Sequence, residues 1–243
     1  MANHRVAGAR GAGWYADGWS AFRSAPGPWV LAAAGYLLIT LLLNFIPLIG
    51  PIAGAVIGPG LLAGFLLMAR AAEDGTDVRA GMLFQALGDA QSRGPLLVLG
   101  AVALAATLLA GLILVYTAPG EVAPGGGMGP GGPTEPMPGG PPPMGALIAT
   151  LLVMLAVSFA LFFAIPLVTF RDLDPVAAMR ESFGACLRNL GAVLLFLVLY
   201  LILGFVAVLP MGLGFLLLLP VGMAAAYRAY REVFPEPPEE SAE

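Results

Sequence analysis

The sequence predicts an all-α fold: a polytopic membrane helical bundle of six transmembrane helices, with amphipathic helices at its cytoplasmic interface. Three observations carry this prediction. Hydrophobic residues make up 59% of the 243 positions and charged residues only 11%, against about a quarter charged in a soluble domain. Six uncharged runs approach the roughly 20 apolar residues that cross about 30 Å of hydrocarbon at about 1.5 Å per residue. All 11 basic residues are arginines, and every one falls in a connection on the same side of those runs. The 33 glycines and 22 prolines lack a Gly-X-Y period, and the unbroken Leu, Ala, Val and Phe runs argue against disorder.

The elements follow in order. A cytoplasmic N-terminal segment, 1–28, contains the first interfacial helix. The membrane domain, 29–234, begins with spans 29–46 and 52–69, joined at Pro47, Gly50 and Pro51 into a helical hairpin. Span three is 95–116 and span four 146–170, with Pro166 near its end. Spans 190–209 and 211–226 form the last hairpin, broken at Pro210; span six is the shortest, so a re-entrant loop is the alternative there. Between spans three and four, 117–145 holds 10 glycines and 9 prolines, which predicts a mobile periplasmic loop. The acidic segment 235–243 predicts a disordered tail.

Arg5, Arg10 and Arg23 precede span one. Arg70, Arg79 and Arg93 lie between spans two and three, Arg171, Arg180 and Arg188 between four and five, and Arg228 and Arg231 after span six. Under the positive-inside rule this pattern puts both termini in the cytoplasm, in a bacterial inner membrane. The first apolar run starts at Trp29 and lacks a small-residue cleavage site, so a signal anchor is expected rather than a cleaved signal peptide.

Short amphipathic segments precede spans one, three and five: Tyr15, Trp19 and Phe22; then Ala80, Leu83, Phe84 and Leu87; then Val176, Met179, Phe183, Cys186 and Leu190, opened by an Asp174 cap and Pro175. Each even span carries a proline with an arginine downstream: Pro59 and Arg70, Pro166 and Arg171, Pro220 and Arg228. These recurrences point to a triplicated helix-hairpin unit. Interfacial helices and prolines also occur in membrane proteins without repeats, so the sequence leaves both readings open.

Candidate functional residues are few. The six spans contain no Asp, Glu, Lys, Arg or His, which disfavours a proton-coupled carrier. Asn44 is the most polar core residue, suited to helix packing or to lining a pathway. Gly54 with Gly58, and Gly60 with Gly64, permit close backbone approach; packing within one chain, a homo-oligomer face, or a hinge at Gly58, Pro59 and Gly60 all fit. Arg23, Arg70, Arg171, Arg188 and Arg228 suit anionic lipid head groups. Met128, Met137 and Met144 would suit Cu(I), but no Cys or His accompanies them. One cysteine, Cys186, and one histidine, His4, leave no disulfide framework and no zinc cluster. Cys186 reads as a packed residue, with palmitoylation or oxidation as alternatives. No P-loop, HExxH, Ser/His/Asp set or paired intramembrane carboxylates occur, and no basic nucleic-acid footprint; no cofactor and no nucleic-acid partner is expected.

Gly18-Trp19 through Phe22 and Pro26, the Ile46-Pro47-Leu48-Ile49-Gly50-Pro51 turn, Pro59 to Gly64, and Tyr227-Arg228-Ala229-Tyr230-Arg231-Glu232-Val233-Phe234 together resemble a family of uncharacterised bacterial six-helix inner-membrane proteins. That family is similar in layout to the membrane domains of some glycerophosphodiesterases. The resemblance implies a membrane location and six helices; it carries over no phosphodiesterase domain and no catalytic residue. The expectation is a non-enzymatic integral protein acting through membrane lipids or a membrane protein partner. The alternative is a channel or carrier for a neutral or lipid-like substrate, and a weaker third reading is an intramembrane enzyme. A cavity between the hairpins would favour the channel or carrier, a solid bundle the first reading.

Overall fold

The computed structural model describes residues 4–117 and 141–235. Ten α-helices and one 3-10 turn account for nearly all of them, with no strand among the described residues. Most of the loop 117–145, including Met128 and Met137, and nearly all of the tail 235–243 lie outside the described residues.

Five helical segments are long and apolar enough to cross a membrane: Pro26–Asn44, Ile49–Glu73, Ala90–Thr117, Met144–Arg171 and Leu190–Val208. They match the first five expected spans. The first two are α2 and α3, preceded by α1 (Arg10–Ser24). After a 3-10 turn (Ala80–Phe84) and the single-turn α4 (Gln85–Gly88) comes α5 (Ala90–Thr117). Asp89 opens α5 by accepting hydrogen bonds from the Ser92 backbone N–H, 2.9 Å, and hydroxyl, 2.6 Å. Those bonds hold its carboxyl below the ordinary aspartate range.

The fourth segment is α6 (Met144–Phe162) followed by α7 (Ala164–Arg171), with the break at Phe163. Pro166 supplies one cause, because it has no N–H for the carbonyl one turn back. The second comes from α8 (Pro175–Arg188): the Ser182 hydroxyl sits in the opened ladder, donating to the Phe159 carbonyl at 2.7 Å and accepting from the Phe163 N–H at 2.9 Å. The fifth segment is α9 (Leu190–Val208).

The sixth expected span differs. Residues 211–214 belong to the turn, with Met211 and Gly212 at φ 55° and 83°, and α10 covers Phe215–Val233. Its uncharged part, 215–226, is about 18 Å long, and Arg228, Arg231 and Glu232 fill its last third, so α10 is not among the five. Pro59 and Pro220 sit inside α3 and α10 without interrupting them.

Each amphipathic segment docks on a proline-bearing helix. The 80–88 segment packs on α3, where a Cβ on Gly64 would meet the Leu83 backbone and one on Gly60 the Leu87 side chain. Gly60 and Gly64 therefore serve packing within the chain. Helix α8 packs on α6 and α7. Helix α1 lies along α10 and α9, with Gly11 against Ala192 and Gly18 against Val221 and Ala225.

The stripes of these segments are divided between the protein interior and the outer surface. Helix α8 buries Ala178, Ser182, Ala185 and Cys186, while Val176, Phe183 and Leu190 point outward. In the second segment Leu83 is buried and Phe84 exposed; in α1 Trp14 and Phe22 are buried and Trp19 is partly exposed. The physical reason is that lipid is an apolar solvent, so large side chains gain little by turning inward, whereas backbone approach requires small ones.

Candidate functional site

Five arginines, Arg10, Arg70, Arg171, Arg228 and Arg231, meet the protein itself at one end of the bundle. Arg228 and Arg231 reach the Glu73 carboxylate, at 3.0 and 3.9 Å, and Arg70 reaches Asp74 at 3.6 Å. Arg70 also lies over the Phe170 ring. Arg171 donates to the Phe234 carbonyl at 2.7 Å and to the Tyr230 hydroxyl at 3.2 Å. Arg10 pairs with Glu232 and with Asp17, and Trp14 Nε1 donates to Glu232 at 3.0 Å. Burial opposes the charge on Glu232, but the hydrogen bonds from Arg10 and Trp14 prevail and hold its carboxyl below the usual range.

Asn189, buried at the α8–α9 junction, ties the N-terminal segment into the same end. Its Oδ1 accepts from the Val6 N–H at 2.8 Å and its Nδ2 donates to the His4 carbonyl at 3.1 Å. The His4 N–H donates to the Val233 carbonyl and Arg5 Nε to the Arg188 carbonyl. Of the five arginines expected to meet lipid head groups, the structure thus gathers Arg70, Arg171 and Arg228 into contacts with the protein itself. Arg23 and Arg188 lie exposed in the last turns of α1 and α8. The polar latch of Glu232, Trp14 and Asn189 was missed from the sequence; an Asn between an amphipathic helix and a span was the available signal.

A cavity of about 420 Å³ opens among α3, α6, α7, α9 and α10. Gly54, Gly58 and Pro59 line it from α3, Phe162, Ile165 and Pro166 from α6 and α7, Phe196, Leu197 and Tyr200 from α9, and Gly222 and Met223 from α10. Its polar side chains are Ser158 and Tyr200, and no charged residue lines it. Ser158 already donates to the Met154 carbonyl at 2.7 Å. A Cβ on Gly58 would meet nothing within 4 Å, so this glycine keeps space open, unlike Gly60 and Gly64. Gly222 does a third job: a Cβ there would run into the Tyr200 ring. The volume falls in the range of about 300–1,000 Å³ typical of small-molecule sites.

The remaining candidates separate from the cavity. Asn44 is exposed, donates to the Thr40 carbonyl of its own helix at 2.7 Å, and does not line this cavity. Cys186 is fully buried with Sγ 3.5 Å from the Phe159 carbonyl, and burial pushes its thiol up to about 12 against the opposing hydrogen bond with Ser182. It is packed and shielded from reagents. A second, more open apolar groove of about 440 Å³ runs between Trp19 of α1 and the far ends of α9 and α10. Among the described residues no group of three or more His, Cys, Asp or Glu could hold a metal ion. No family model, no curated protein and no solved structure matches the chain.

Proposed function

We propose that the chain is a non-enzymatic integral protein of a bacterial inner membrane that holds a lipid-like apolar ligand in the cavity among α3, α6, α7, α9 and α10. The single observation that carries this reading is the lining: walls of Gly, Pro, Leu, Ile and Phe without a charge, within segments apolar enough to span a bilayer. Such walls offer dispersion contact and little hydrogen bonding, which selects a hydrocarbon over a polar solute. The same observation favours the lipid-like branch of the channel-or-carrier alternative over a solid bundle acting through its surface alone.

The orientation proposed has both termini and the arginine end in the cytoplasm, with α10 as a sixth span. What supports it is that α10 returns antiparallel beside α9, Gly222 opposite Tyr200 and Gly214 opposite Ala207, and brings Arg228 back to Glu73 at the end of α3. Triplication is supported by a cyclic docking order. The second amphipathic segment rests on α3 of the first unit, α8 of the third unit on α6 and α7 of the second, and α1 of the first unit on α10 of the third. The three proline-bearing helices then surround one cavity. The proposed kinship with six-helix inner-membrane proteins rests on the quoted sequence segments.

Gly58→Leu tests the ligand. Its side chain would project into open space, so the fold should persist while the cavity fills. Native mass spectrometry of protein purified in mild detergent should find a bound lipid on the wild type and about tenfold lower occupancy on Gly58→Leu, equivalent to 1.4 kcal/mol, with Gly58→Ala close to wild type. Equal occupancy in all three proteins would remove the cavity as the binding site.

A further inference from the structure

The walls of the cavity are closed to different degrees. Where α3 meets α5, a Cβ on Gly100 would meet the Val56 backbone, and α2 packs directly on α10. Helices α6 and α9 face each other without comparable backbone packing. Side chains bridge them: the Phe162 and Phe196 rings stand edge to face with centroids 5.3 Å apart. Leu161 and Leu197, both half-buried, line the cavity on either side of this seam. Next to it α9 presents Val198, Leu201 and Phe205 outward. In a bilayer such a seam faces hydrocarbon rather than water.

We propose that a phospholipid acyl chain enters the cavity sideways through the α6–α9 seam, with Leu161 and Leu197 as its gate; this rests on the reading of the cavity as a lipid-like site. The occupant follows from the chemistry of the lining. A head group would meet no charge inside, and Ser158 is already engaged with its own helix. A methylene chain requires only apolar contact, and gains van der Waals packing against fixed walls relative to lipid. Its head group stays outside, so the chain need never drag a charge through the protein. Opening requires side-chain rotation at Leu161 and Leu197, not separation of the helices, because side chains rather than close backbone packing seal this wall.

The test reconstitutes the full chain in vesicles of phosphatidylethanolamine and phosphatidylglycerol containing a trace of phosphatidylcholine with a diazirine at the acyl terminus. After brief irradiation, adducts are mapped by mass spectrometry. Cavity residues such as Leu62 and Met223 should be labelled. The double variant Leu161→Ala/Leu197→Ala should label the cavity about fivefold faster and Leu197→Trp about fivefold more slowly, with adducts on outward-facing Leu201 unchanged in both as the control for folding and insertion. Cavity labelling at the same rate in all three proteins overturns the gate and leaves the lipid site standing. No cavity adducts in any of them, while Leu201 is labelled, overturns both the gate and the lipid reading.

Discussion

Gly64→Val and Gly100→Val are each expected to abolish accumulation of folded protein. At Gly100 a Cβ would stand 2.7 Å from both C and Cα of Val56, and at Gly64 it would meet the Cα and carbonyl carbon of Leu83. The obstacles are backbone, so the clash is relieved only by moving α5 off α3, or the 80–88 segment off α3. Overpacking of this kind costs about 1–3 kcal/mol where side chains can yield and more where they cannot. Expression in membranes followed by gel filtration in mild detergent should show both variants aggregated or degraded. Gly58→Ala, in open space on the same helix as Gly64, should elute as the wild type does. Survival of Gly100→Val as a monodisperse protein would show that α3 and α5 are not packed as described.

Ser182→Ala is the second. The hydroxyl joins α8 to the break in the fourth apolar segment, accepting from the Phe163 N–H and donating to the Phe159 carbonyl in a fully buried setting. Removing it leaves both groups without that partner, at about 1–3 kcal/mol per buried group. A loss of about 2 kcal/mol lowers the melting temperature by about 4–8 °C in a chain of this size. Thermal unfolding in detergent should show that shift for Ser182→Ala and none for Ser158→Ala, whose exposed hydroxyl bonds only within its own helix. An unchanged midpoint for Ser182→Ala would mean that the ladder closes without the hydroxyl and that Pro166 alone makes the break.

The contrast between these residues explains what the sequence made legible. Span positions were readable because bilayer thickness imposes a length and an absence of charge, and five segments appear where those two criteria put them. The cap at Asp174 was equally readable: its carboxylate accepts from the N–H groups of Val176 and Ala177. The inward faces of α1 and α8 were not legible in the sequence for a definite reason. In water a stripe of large apolar residues marks the buried side; beside lipid it does not, and the buried sides are marked by Gly11 and Gly18, and by Ala178, Ser182 and Ala185. Gly54, Gly58, Gly60 and Gly64 share one spacing, yet two of them seat a neighbour and Gly58 opens a cavity. Which does which depends on the chain 20 to 160 residues away, and spacing carries no information about that. Pro59 and Pro166 were legible as a recurrence in the even spans, but their meeting around one space was not. The polar latch was hidden for a similar reason, since Arg10 and Glu232 come from opposite ends of the chain.

The central claim is that the apolar helices thread a bilayer with the arginine end on one side and the turns at Leu48 and Met211 on the other. Cysteine accessibility measures it directly, and the native Cys186 is buried enough to serve as a silent background. Leu48, Met144 and Met211 are 81%, 71% and 97% exposed, and Ser24 and Asp77 lie exposed toward the arginine end. With a membrane-impermeant maleimide on intact spheroplasts, Leu48→Cys, Met144→Cys and Met211→Cys should react at once, and Ser24→Cys and Asp77→Cys only after permeabilisation. Labelling of Asp77→Cys in intact spheroplasts, or protection of Met211→Cys until they are opened, would contradict the account.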